Sequence, residues 1–153
     1  MEQEIYSLVG RIIELVQNIE YLLVDGVKMS KILNVYNKYN FVSYNYYKKI
    51  EQDIKELTDE MENMTFGKII NLVRTYEVLA SDDIEYLESI LSKRNQLVHK
   101  YFKYNELNKC SEEVKYKYLT KFHSESDVFY KYLLKIIHEM KQDLDKVILE
   151  EGL

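Results

Sequence analysis

Arg94, Asn95 and His99 are the residues of this 153-residue chain whose types and spacing suit chemistry. Arginine carries a planar fork of donors that matches phosphate oxygens and stabilises charge building on them. Histidine titrates near neutral pH and can take or give a proton. RNA supplies its own nucleophile, the 2'-hydroxyl beside the scissile phosphate. The trio therefore suits cleavage of an RNA phosphodiester, with no metal or other cofactor needed. Lys93, Lys100 and Lys103 flank it as candidate RNA-binding cations, a basic segment in a chain of net charge -5.

These residues must be held by a helix. Ser81 or Asp82 caps it, and Asp83 and Glu85 sit in its first turn, where the helix dipole favours negative charge. It runs to about Phe102. Its apolar positions are Ile84, Leu87, Leu91, Val98 and Tyr101, and the missing step of that stripe is Arg94. A guanidinium in a stripe that otherwise wants burial must reach solvent, a partner or an anionic ligand. His99 lies five residues on, a rotation of about 140° and a rise of about 7.5 Å, so Arg94 and His99 occupy neighbouring faces. Asn95 and His99 are four apart and share a face, which Ser92 and Phe102 extend.

The rest of the chain reads as helix as well. It has no proline and only four glycines, with 46% hydrophobic residues, enough for the core of one domain over 1–153. A first helix is predicted from about Gln3 to Val24. Its stripe is Ile5, Leu8, Ile12, Leu15, Ile19 and Leu22, widened by Val9, Ile13, Val16 and Leu23. Asp25-Gly26 is its predicted stop. Residues 27–45 read as a short helix and a loop. A second long helix from Tyr46 to Met61 carries the seam Tyr47, Ile50, Ile54, Leu57, Met61 and Met64. A short helix opened by Thr65 precedes the Arg94 helix, and Lys103 to Cys110 reads as a loop. A final helical region begins at Ser111 and carries Phe129, Leu133, Ile136, Met140, Leu144 and Val147. Ser124-Glu125-Ser126 reads as a break in it or a solvated turn. The fold class is all-α: a single-domain bundle of about five helices.

Over Lys93 to Phe102 the chain resembles the signature of the HEPN superfamily (higher eukaryotes and prokaryotes nucleotide-binding): an arginine, four to six residues, then a histidine, commonly with a polar residue right after the arginine. Arg94, Asn95 and His99 match it. The helical layout is similar only loosely. The resemblance implies a helical bundle that dimerises through the motif helix, with two copies lining one cleft. It implies a metal-independent endoribonuclease, of the kind that serves as a toxin or in phage defence. His99 would assist proton transfer, Arg94 would bind and stabilise the phosphate, and Asn95 would orient one of them. One branch of the family carries a tyrosine two residues after the histidine, which a partner nucleotidyltransferase antitoxin adenylylates. Tyr101 stands there, and also simply continues the apolar stripe.

Competing readings are a non-catalytic helical module that binds nucleotide, RNA or a protein partner, and a plain oligomerisation domain in which Arg94 is an interface ion pair. The aromatic cluster Tyr36 to Tyr47 either packs a loop onto the core, the favoured reading, or stacks bases. His138 is skipped by the final stripe and reads as surface. Cys110 is the sole cysteine, which excludes an intramolecular disulfide and argues against a zinc cluster. No Glu-x-x-His pair or glycine-rich phosphate loop is present. The acidic start Met1-Glu2-Gln3-Glu4 lacks a signal peptide's basic region, and no apolar run suits a membrane span; a cytoplasmic location is expected.

Overall fold

A computed structural model describes residues 1–60, 63–100 and 110–153, the side chains at 99 and 100 excepted. Five helices pack as one bundle, and no strand occurs among the described residues. The first, α1 (Glu2–Tyr39), does not stop at Asp25-Gly26 as its sequence suggests. Gly26 is buried within the helix, where a Cβ would lie 2.8 Å from Val78 Cγ1 and 2.9 Å from Ile137 Cδ1. Its lack of a side chain serves the close approach of neighbouring elements, not a turn. The helix ends at Asn40, which adopts φ 52° and donates its N–H to the Tyr36 carbonyl. The expected short helix and loop over 27–45 thus shrinks to a connection of a few residues.

The second helix, α2 (Tyr44–Glu60), begins slightly before its expected start and folds back on the end of α1. Ile50 joins Ile32, Leu33, Val42 and Val147 in a small core at that end of the bundle. Val42 packs the connection inward, and of the aromatic cluster Tyr36 and Tyr47 pack against this core as expected, while Tyr39, Phe41, Tyr44 and Tyr46 stay exposed. The helix α3 (Phe66–Thr75) opens as expected at Thr65, whose hydroxyl accepts from the Lys68 N–H at 3.2 Å. A turn follows, braced by Asn34, whose side chain donates to the Tyr76 carbonyl at 2.9 Å.

The helix α4 (Ser81–Lys100) returns beside α3, tied to it by an Arg74–Glu88 ion pair. The last, α5 (Glu112–Glu151), is capped by Ser111 and closed by Gly152 at φ 67°. It runs unbroken through Ser124-Glu125-Ser126, so neither a break nor a wholly solvated turn occurs there. Ser126 is 1% exposed and its hydroxyl has no partner among the described residues. The two long helices lie parallel: Gly26 meets Ile137, and Tyr36 Oη donates to Glu150 Oε2 at 3.1 Å near both C-termini. Against α5, α4 runs antiparallel, with Asp83 taking a bond from Tyr132 at 3.0 Å, Tyr86 on Phe129, and Lys93 over Phe122. The main core includes Ile12, Ile19, Leu23, Ile69, Leu87, Leu119 and Leu133, each contributing about 1.5–3 kcal/mol by burial. Among the described residues no helix is long and apolar enough to cross a membrane.

Candidate functional site

The motif helix turns a somewhat different face inward than its sequence suggests. Ile84, Leu87, Ile90 and Leu97 are buried, Leu91 is half-buried, and Val98 is 42% exposed. The expected stripe through Val98 is therefore corrected to one through Leu97, three residues after Arg94. Arg94 stays within the inward face and is half-buried.

Two polar groups surround it. Asn95 Oδ1 accepts a bond from Arg94 Nη1 at 3.2 Å. From α1, Glu20 brings a carboxylate into the electrostatic range of Arg94. Burial raises the Glu20 carboxyl above its ordinary 4.5, and the Arg94 charge pulls it only part of the way back. Glu20 Oε1 is buried and has no hydrogen-bond partner among the described residues. The site is thus a guanidinium held by a carboxamide on its own helix, facing a carboxylate whose own bonding is incomplete. Among the described residues the bond to Asn95 is the one hydrogen bond the guanidinium makes, which leaves donors that suit an anion.

Glu20 escaped the sequence reading, but a signal existed. Ile13, Val16, Leu23 and Val27 recur at steps of three and four, and Glu20 occupies the step between Val16 and Leu23. It interrupts the α1 stripe as Arg94 interrupts that of α4. Opposite charges at such gaps on two packed helices are a pairing signal.

The other candidates separate. Lys93 Nζ lies 5.6 Å from the Phe122 ring centroid, so its ammonium is engaged toward α5. His99 and Lys100 continue α4 as backbone, and their side chains lie outside the described residues. Tyr101 and Lys103 lie wholly outside them. His138 is exposed as expected and pairs with Gln142 at 3.2 Å. Among the described residues no group of three His, Cys, Asp or Glu side chains could hold a metal ion. No family model matches the chain, and no curated protein or solved structure is detectably similar to it.

Proposed function

We propose that the chain is a metal-independent endoribonuclease of the HEPN type, acting as a homodimer on single-stranded RNA within a toxin–antitoxin or phage-defence system. The observation that carries this reading is Arg94: a half-buried guanidinium, bonded to Asn95, on the helix that carries His99. In the proposed reaction the 2'-oxygen attacks phosphorus and the bond to the 5'-oxygen breaks, leaving a cyclic phosphate and a 5'-hydroxyl. His99 moves the proton. Arg94 meets the charge that builds on the non-bridging oxygens, where a preorganised donor acts most strongly. Asn95 fixes the guanidinium. Lys93, Lys100 and Lys103 draw the strand in, and Tyr101 is the place where a nucleotidyltransferase antitoxin would act.

The test is cleavage of single-stranded RNA by the purified chain in EDTA. His99→Ala and Arg94→Ala each lower the rate by 100-fold or more, in the range for a lost proton-transfer or oxyanion-stabilising group. Equal cleavage by wild type and both variants assigns the activity to a contaminant and ends the proposal.

The proximity of Glu20 favours one competing reading, in which Arg94 serves only as half of a structural ion pair. Glu20→Gln separates the two. If Arg94 binds phosphate, removing the competing charge tightens RNA binding several-fold. If Arg94 is structural, RNA affinity is indifferent to Glu20. A chain that binds RNA tightly, loses that binding in Arg94→Ala and never cuts is instead a non-catalytic module.

A further inference from the structure

A second surface sits at the far end of α1, where it turns into α2. Tyr39, Phe41, Tyr44 and Tyr46 are exposed by 65%, 57%, 59% and 41%. Four exposed rings within eight residues exceed the scattered apolar groups that any surface carries. The turn is fixed, because Val42 is buried and Asn40 adopts the left-handed conformation. The rings are therefore displayed on a defined frame.

The charge around them has one sign along the chain. Residues 26–50 hold five lysines and neither Asp nor Glu, within a protein of 26 acidic and 21 basic residues. Two of those lysines lie against the exposed rings: Lys38 Nζ is 5.2 Å from the Tyr39 centroid, and Lys48 Nζ is 5.4 Å from that of Tyr44. Lys49 adds a third cation. Carboxylates approach from two sides: Glu51 pairs with Lys48 at 3.2 Å, and Glu150, which takes the Tyr36 hydroxyl, lines a pocket with Asp143 and Asn37. Asn37, Asn40 and Asn45 stand exposed between the aromatics, with amides that can meet base edges.

The geometry points to a binding surface for single-stranded nucleic acid at this corner, with Phe41 and Tyr44 stacking bases and Lys38, Lys48 and Lys49 meeting the phosphates. Exposed rings beside cations are what a strand with flat bases and a charged backbone requires. The asparagines argue against burial in lipid, where unpaired amides are costly. The surface is separate from Arg94 and stands whether or not the chain cuts RNA.

The experiment measures anisotropy of fluorescent dT12 and 2'-O-methyl-U12 with the full chain. Neither probe has a free 2'-hydroxyl, so cleavage cannot confound binding. Phe41→Ala and Tyr44→Ala each weaken binding about tenfold, while Tyr44→Phe keeps the wild-type affinity. Lys38→Gln with Lys48→Gln lowers the slope of log affinity against log salt by about 1.4. All four sites are exposed, and circular dichroism should show wild-type helicity for each. Unchanged affinity in the Phe41→Ala/Tyr44→Ala double variant overturns the inference. So does a chain that ignores both oligonucleotides but uses these residues to bind phosphatidylserine vesicles or a second copy of itself.

Discussion

Glu20 and Arg94 set opposing demands on one site. The Glu20 carboxyl is raised by burial, and only in part returned by the guanidinium, so folding makes its ionisation harder than in the unfolded chain. A raised carboxyl contributes stability that is fully present below its ordinary 4.5 and is lost as pH rises through the raised value. Glu20→Gln removes that dependence. In urea unfolding from pH 3.5 to 7, the wild type should lose ground to Glu20→Gln as pH rises. The opposite slope would mean that attraction to Arg94 outweighs burial. Arg94→Ala removes the one influence that lowers the group, so the Glu20 carboxyl should titrate still higher by carbon-detected NMR. Ser126 offers a simpler case: a buried hydroxyl without a partner among the described residues is a liability of about 1–3 kcal/mol. Ser126→Ala should be neutral or stabilising by about 1 kcal/mol, read as a shift in the urea midpoint.

Among the elements, the glycines of α1 make matched opposites. Gly10 is exposed with open space around its Cβ position, whereas Gly26 is filled against Val78 and Ile137. Alanine in a helix interior gains up to about 1 kcal/mol over glycine. Overpacking costs about 1–3 kcal/mol. Gly10→Ala should therefore stabilise by up to about 1 kcal/mol and Gly26→Ala should destabilise by about 1, with Gly26→Val worse; thermal unfolding reports the signs. If Gly26→Ala is as favourable as Gly10→Ala, the close approach of α5 and the 76–80 turn is wrong. This pair also explains what the sequence could tell. Periodicity carries the helices, because each stripe is local: Thr65, Ser111, the α1 stripe and Arg94 were all legible. The continuation of α1 was not, because Asp25-Gly26 obeys a local stop rule while its cause is a side chain from the other end of the chain. Ser126 misled in the same way. Leu97 was passed over for Val98 because a one-residue rotation of the face is decided by the neighbours that α4 meets. The site was half legible: Arg94 and Asn95 from their types, Glu20 only from a gap in a second helix.

At the scale of the whole molecule, the bundle places the two proposed nucleic-acid surfaces on different elements. Arg94 and Asn95 lie near the end of α4, while the exposed rings lie where α1 meets α2. Within one copy, Arg94 is drawn inward toward Glu20, and His99 follows after a rotation of about 140°. The proposed dimer resolves this spread if Arg94 of one copy works with His99 of the other. Two-fold symmetry makes that arrangement reciprocal. It is separable from a site contained within one copy by mixing two inactive variants. In a heterodimer of Arg94→Ala with His99→Ala, a shared site keeps one intact Arg94–His99 combination, while sites within single copies keep none. Random exchange should then restore about a quarter of wild-type cleavage, since half the dimers are mixed and half their sites intact. No recovery, with subunit exchange verified by native mass spectrometry, would confine the chemistry to one copy and require Arg94 to swing away from Glu20 before RNA can be cut.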